Sequence, residues 1–105
     1  MEFYSINTIH VEHKFTDLMI KQVWEKAEID SNYNPNEVRR DVCGAYICFG
    51  MYGQKDKNMG WQIDCIKPIE FGGNTQLFNL QPLNWKNKAS KKNKYPSWEC
   101  MLNNA

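Results

Sequence analysis

The segment formed by residues 60–96 constrains the fold more than any other part of the chain. Residues 61–66 are interpreted as a strand that follows a polar, glycine-bearing loop. Gly72-Gly73-Asn74 predicts a turn. From Trp85 onward the chain has no β-branched residue and is rich in lysine, which predicts a helix of about two to three turns that ends before Pro96.

The residues before this segment predict strands and helices in alternation. Residues 3–11 are interpreted as a strand because they include several β-branched residues. Thr16 is a suitable N-cap for a helix in which Trp24 belongs to the core. The remaining predictions are a short helix at 37–41 after Pro35, a strand at 45–47 and a loop at 50–60.

Length and composition indicate one small domain of 105 residues, and the predicted strands and helices make its fold class α+β. The net charge is only +1, so the molecule as a whole is not a polycation built for nucleic acid. Residues 82–105 nevertheless carry five lysines and one acid, a net charge of +4. The positive charge is therefore concentrated toward the C-terminal end.

The cysteine spacing matches neither a zinc pair nor a short-spaced disulfide framework. The four cysteines are Cys43, Cys48, Cys65 and Cys100. We expect free thiols and a cytoplasmic protein. Neither a signal peptide nor a membrane span is expected, since no uninterrupted apolar run is long enough.

Several motifs occur in the order found in one nuclease family. They are V-W-x-K at 23–26, R-x-D-x-C-G-A-x-I at 39–47, Gly60-Trp61-Gln62-Ile63-Asp64, Gly72-Gly73, Leu77-x-Asn79-Leu80-Gln81-Pro82-Leu83 and Trp85-Lys86-Asn87. The chain thereby resembles a phage and bacterial subgroup of HNH endonucleases. The resemblance implies a ββα-metal finger, a β-hairpin followed by a helix, with its core at about residues 60–95. Residues 1–59 would form an N-terminal extension with a strand and a helix.

The resemblance also implies a set of catalytic positions. In the family, an aspartate on the hairpin and a residue on the helix hold one divalent metal, Mg²⁺ or Mn²⁺. A histidine after the aspartate activates water, and an asparagine steadies the histidine. By position, Asp64 matches the metal-binding aspartate and Asn79 matches the orienting asparagine.

Two positions depart from the family pattern. Cys65 stands where the catalytic histidine is expected, and a neutral thiol is a poor general base, so we interpret Cys65 as a small buried apolar residue. Lys88 stands at the second ligand position, and a protonated lysine cannot bind a cation. We expect Lys88 to pair with Asp64 instead. A shift of one residue would make Asn87 the ligand, which keeps an active enzyme as an alternative.

The two departures favour a catalytically degenerate HNH-fold protein that acts as a binding module without a cofactor. A protein partner is the first expectation. An example is a host nuclease or a CRISPR-type defence complex, which a phage-encoded decoy would inhibit in the cytoplasm of the host cell. Weak DNA binding is the second expectation, and binding to a membrane is not expected. The alternatives are a metal-dependent DNA endonuclease with an altered base and a purely structural component. The predicted binding residues are Trp85, Lys86, Lys88, Lys91, Lys92, Lys94, Tyr95 and Trp98.

Overall fold

A computed structural model describes residues 2–6, 9–13 and 15–104, the first two ranges by their backbone only. The fold is α+β, as predicted, and three two-stranded antiparallel sheets lie within the described ranges. The strands are β1 Glu2–Ile6, β2 Ile9–His13, β3 Val38–Arg40, β4 Tyr46–Cys48, β5 Trp61–Cys65 and β6 Leu80–Asn84. The helices are α1 Asp17–Trp24 and α2 Trp85–Lys91. Neither described helix is long and apolar enough to cross a membrane.

The N-terminal segment forms a hairpin rather than the single strand predicted for residues 3–11. β1 pairs with β2 in antiparallel register, with Phe3 opposite Glu12 and Ile6 opposite Ile9. Residues 7–8 of the predicted strand lie outside the described residues. Two paired strands are favoured over one because each strand then has a hydrogen-bonding partner, which a lone strand lacks.

Helix α1 begins where the sequence predicts. The Thr16 hydroxyl accepts a hydrogen bond from the Met19 amide at 3.1 Å, as an N-cap does. The helix buries Val23 and Trp24, and the Trp24 ring lies 5.4 Å from the Trp61 ring, centroid to centroid. The prediction that Trp24 belongs to the core is confirmed.

The predicted short helix at 37–41 is wrong, because residues 38–40 form β3. β3 pairs with β4, with Arg39 opposite Ile47. On its other side, the backbone of Arg40 exchanges two hydrogen bonds of 2.9 Å with the backbone of Glu28. Backbone partners on both sides outweigh a weak local preference for helix. The strand predicted after Cys43-Gly44 is confirmed as β4.

Strands β5 and β6 and helix α2 form a compact strand–strand–helix unit. Asp64 lies opposite Gln81, and Cys65 lies opposite Leu80. Asn84 ends β6 and caps α2, because its side-chain oxygen accepts a hydrogen bond from the Lys86 amide at 3.0 Å. The strand and helix predicted in residues 60–96 are confirmed, and α2 packs on both strands.

The core of the described residues lies between α1 and the face of β5 and β6 that points away from α2. Its fully or nearly fully buried apolar side chains are Val23, Trp24, Ala27, Ile47, Trp61, Ile63, Cys65 and Leu80. Trp61, Ile63 and Cys65 occupy alternate positions of β5, so they point to the same face of the strand. Asp64 therefore points to the opposite face, toward α2.

The prediction of four free thiols is wrong for two of them. Cys43 and Cys100 form a disulfide across 57 residues of sequence, with their Cα atoms 5.8 Å apart. Cys48 and Cys65 are not disulfide-bonded. Sequence spacing does not reveal the disulfide, because it depends on the chain after α2 turning back toward the turn between β3 and β4.

Candidate functional site

The Asp64 carboxylate lies at the centre of the strand–strand–helix unit, and the residue is only 2% exposed. Lys88 Nζ lies 3.5 Å from Oδ1, and Lys91 Nζ lies 3.3 Å from Oδ2. Gln81 Nε2 donates a hydrogen bond of 2.9 Å to Oδ2. One buried negative charge thus contacts two ammonium groups and one amide.

Local structure explains this convergence. Gln81 is the cross-strand partner of Asp64, which brings their side chains to one face of the sheet. Lys88 and Lys91 are three residues apart on α2 and therefore lie on one face of the helix. Packing α2 on β5 and β6 places both ammonium groups over the carboxylate.

The predicted pairing of Lys88 with Asp64 is confirmed. The prediction that Lys91 belongs to the binding surface is wrong. Lys91 is 1% exposed, and its Nζ also donates a hydrogen bond of 3.0 Å to the Cys65 carbonyl. It therefore does not belong to the solvated lysine surface predicted for binding. The helical spacing from Lys88 was the available signal, since a residue three positions later shares the inward face.

The Cys65 side chain belongs to the apolar core and faces away from Asp64. The residue is 9% exposed and packs with the buried cluster that contains Ile63 and Leu80. Its interpretation as a buried apolar residue is confirmed.

Asn79 organises the loop between β5 and β6. Its Oδ1 accepts a hydrogen bond from the Lys67 amide at 2.9 Å, and its Nδ2 donates to the carbonyls of Lys67 at 3.0 Å and Asn74 at 2.6 Å. These bonds use the side chain to shape the loop. The orienting role toward position 65, implied by the resemblance, is not among them.

Asn87 is fully buried and has no capacity left to bind a metal. Its Oδ1 accepts hydrogen bonds of 2.8 Å from the amides of Met101 and Leu102. Its Nδ2 donates to Asp41 Oδ2 at 3.0 Å and to the Leu102 carbonyl at 2.8 Å. Both lone pairs and both N–H groups are used. These contacts do not fit the alternative in which Asn87 serves as the ligand.

Asp41 and Asn84 are structural residues for which the sequence suggested no role. Asp41 Oδ1 accepts from the amides of Cys43 and Ala45, and Oδ2 accepts from the amide of Asn84. Asn84 Nδ2 donates to the carbonyls of Tyr46 and Asn58. The polar residue before Cys43-Gly44 could have indicated a side-chain-capped turn. The contacts with β6 and α2 had no sequence signal.

The remaining predicted binding residues divide into anchored and exposed ones. Trp85 Nε1 donates to the Lys57 carbonyl at 2.8 Å, and Lys86 Nζ lies 5.7 Å from the centre of the Trp85 ring. Trp98 is partly buried. Lys92, Lys94 and Tyr95 are exposed. The exposed part of the predicted surface is therefore the chain just after α2.

The residues around Asp64 do not fit the divalent metal that the resemblance implies. A metal site needs several oxygen, nitrogen or sulfur donors, and the two nearest helix side chains are ammonium groups that only donate hydrogen bonds. Within residues 15–104, no group of three or more His, Cys, Asp and Glu side chains is placed to hold a metal ion.

These features define a small α+β protein with a buried carboxylate that two lysines neutralise. Comparison with family models, with curated proteins and with solved structures yields no match. The resemblance to HNH endonucleases thus rests on the motifs within residues 23–96.

Proposed function

We propose that this chain is a catalytically silent protein on an HNH-like ββα frame, and that it acts as a binding module for another protein. One observation carries the proposal: the carboxylate at the position of the family's metal ligand is buried against Lys88 and Lys91. The lysines supply the positive charge that a metal would supply. They offer neither a Lewis acid nor a site for water.

The order of elements supports the HNH-like frame. A strand that ends in Asp64-Cys65, an intervening loop, a second strand and a helix follow one another, and the helix faces the aspartate. Lys88 lies at the helix position where the resemblance expects a ligand. The same position therefore provides a cation from the protein itself.

The surroundings of Cys65 support the loss of catalysis. A general base must accept a proton from water, and a neutral thiol does so poorly. The Cys65 side chain lies in the apolar core on the other face of β5 from Asp64. Both functions that a nuclease of this family requires are thus replaced by structural contacts.

Charge favours a protein over DNA as the partner. Two of the five C-terminal lysines, Lys88 and Lys91, are committed to Asp64, which leaves Lys86, Lys92 and Lys94 for a ligand. Three lysines on a molecule of net charge +1 predict weak and strongly salt-dependent DNA binding. An inhibitor or decoy of a host nuclease or CRISPR-type defence complex is the function that suits a frame that has kept its shape without its chemistry.

Calorimetric titration with Mn²⁺ and a plasmid-nicking assay test the proposal. We expect no tight binding and no nicking from the wild-type protein. Glu99→Ala, which removes an exposed acid outside the site, is the matched control for Asp64→Ala. A micromolar Mn²⁺ site or a nicking activity that disappears in Asp64→Ala and persists in Glu99→Ala would establish the endonuclease alternative.

A further inference from the structure

We infer that residues 66–79, here called the β5–β6 loop, form the anchor of the protein-binding surface, and that the partner is an acidic protein with an apolar pocket. The inference rests on the proposed function, since it names the surface and the partner chemistry of that binding module. The apolar residues of this loop lie outside the binding residues predicted at 85–98.

The β5–β6 loop exposes three large apolar side chains to solvent. Phe78 is 74% exposed, Phe71 is 54% exposed and Ile66 is 36% exposed. Single exposed apolar residues are common on protein surfaces. Two largely exposed phenylalanines in one loop are less ordinary.

Hydrogen bonds hold the backbone of the loop in one conformation. Asn79 makes its three side-chain bonds within the loop, and the amides of Phe71 and Gly73 donate to the Pro68 carbonyl at 2.9 and 3.0 Å. Gly73 has no space for a side chain, because a Cβ atom there would lie 1.7 Å from the Lys67 carbonyl oxygen. The loop is therefore closely packed on itself.

Two further contacts fasten the loop to the rest of the protein. Lys26 Nζ donates to the Leu77 carbonyl at 2.8 Å and also to the Leu80 carbonyl. Asn93 Nδ2 donates to Glu70 Oε1 at 2.9 Å, which joins the loop to the chain after α2. Because Leu77 and Asn79 are both anchored, the backbone on each side of Phe78 is held while its ring stays in solvent.

A rigid loop with exposed aromatic rings is suited to binding a protein. Aromatic side chains are enriched at the energetic centres of interfaces, where they fill pockets of the partner. Because the backbone is already ordered, binding requires little further loss of conformational freedom. The phenylalanines offer no hydrogen bonds, so the matching surface must be apolar.

The charges beside the loop specify an acidic partner. Lys67 lies in the loop, and Lys92 and Lys94 lie on either side of Asn93, which contacts Glu70. Lys92 and Lys94 are exposed, and the acid within the loop already accepts a hydrogen bond from Asn93. Because Phe71 follows Glu70 in the chain, the Asn93–Glu70 bond brings the segment with Lys92 and Lys94 to the part of the loop that carries Phe71. An exposed ring with positive charge nearby matches an apolar pocket with Asp and Glu at its edge.

The test is selection of a displayed random peptide library against the immobilised wild-type protein, followed by affinity measurement with synthetic copies of the enriched peptides. We expect enriched peptides that combine a large apolar residue with flanking Asp or Glu. We expect Phe78→Ser to weaken their binding by about 30-fold, the factor that corresponds to about 2 kcal/mol. Lys92→Glu with Lys94→Glu should weaken it in a salt-dependent manner.

Met101→Ser is the matched control, because Met101 is 68% exposed and lies outside the loop. It should leave peptide affinity unchanged, and melting curves should show that Phe78→Ser folds like the wild type. No enrichment, or enriched peptides that bind Phe78→Ser as well as wild type, would overturn the inference. If the wild type self-associates and Phe78→Ser does not, the loop binds a second copy of the chain. If the wild type binds a short duplex DNA and Phe78→Ser does not, the loop binds a nucleic acid. Either result would also overturn the inference.

Failure of this inference can be distinguished from failure of the proposed function. If peptide binding depends on Tyr95 and Trp98 but not on Phe71 and Phe78, the chain is a binding module that uses a different surface. If Mn²⁺ binding or nicking depends on Asp64, the proposed function itself is wrong. The phenylalanine variants leave the Asp64 site intact, so the two results are independent.

Discussion

Lys91 Nζ lies 3.3 Å from Asp64 Oδ2, and both side chains are at least 98% buried. Removing two charges from water is unfavourable, and their attraction compensates only when further polar contacts complete the pair. Here Gln81 donates to the carboxylate and the Cys65 carbonyl accepts from the ammonium group. Strand β5 and helix α2 are thereby joined through their most buried charges.

Loss of Lys91 should destabilise the fold strongly. Lys91→Met leaves the Asp64 carboxylate buried with only the more distant Lys88 as a charged partner, and we expect the free energy of unfolding to fall by about 3–5 kcal/mol. Lys88→Met is the matched control, because the Lys88 side chain is 24% exposed and its loss should cost about 1 kcal/mol or less. Urea unfolding measures both values. Equal losses of unfolding free energy in the two variants would show that the burial of Lys91 does not increase its contribution to stability.

Metal binding should require removal of both lysines. Lys88→Asn alone should not create a Mn²⁺ site, because Lys91 still neutralises Asp64. Adding Lys91→Gln removes the second positive charge, and Mn²⁺ should then raise the melting temperature in a manner lost with Asp64→Ala. Tight Mn²⁺ binding by Lys88→Asn alone would contradict the role assigned to Lys91.

Asn87→Ala should release the C-terminal segment. The substitution removes four hydrogen bonds and leaves polar groups of Asp41 and Leu102 without this partner, so we expect a loss of about 2–4 kcal/mol in the free energy of unfolding. Limited proteolysis should show faster cleavage after α2. Asn93→Ala, which removes one exposed hydrogen bond, should behave like wild type in both measurements. Equal protease resistance of the two variants would contradict this role of Asn87.

The disulfide should contribute substantially to stability. Closing a loop of 57 residues restricts the unfolded chain and is expected to stabilise the fold by about 3–4 kcal/mol. Cys43→Ser with Cys100→Ser should lower the midpoint of urea unfolding accordingly. Cys48→Ser, at a cysteine outside the disulfide, should have a small effect. A double variant as stable as wild type would show that the hydrogen bonds alone hold the C-terminal segment.

Acid should weaken the contact between Asp30 and Arg40. The Asn32 amide donates to Asp30 Oδ1, and Arg40 Nε lies 3.0 Å from Oδ2; these contacts hold the pKa of Asp30 below its usual value of 3.8. A carboxylate whose pKa is lower in the folded than in the unfolded state stabilises the fold at pH values above its pKa in the unfolded state. This stabilisation is lost as the pH falls through its pKa in the folded state. Asp30→Asn should therefore lower stability at about pH 6, with the difference from wild type shrinking below about pH 4. Unfolding curves that stay parallel at every pH would contradict this.

The sequence by itself determined the elements that depend on neighbouring residues. Thr16 caps α1 through an amide three residues away, and alternation along residues 61–65 produces β5 with its two distinct faces. The pairing of Lys88 with Asp64 was also predictable, through the resemblance. In each case the decisive signal lies within a short stretch or a recognisable motif.

The tertiary structure alone decided the features that join distant parts of the chain. Residues 38–40 became a strand because Glu28 and Ile47 lie beside them, and Cys43 met Cys100 because the chain after α2 turns back. Lys91 and Lys92 are adjacent in sequence, yet one neutralises Asp64 in the interior and the other is exposed. The physical reason is that burial and partner choice depend on which surfaces pack together, and local propensity carries no information about that.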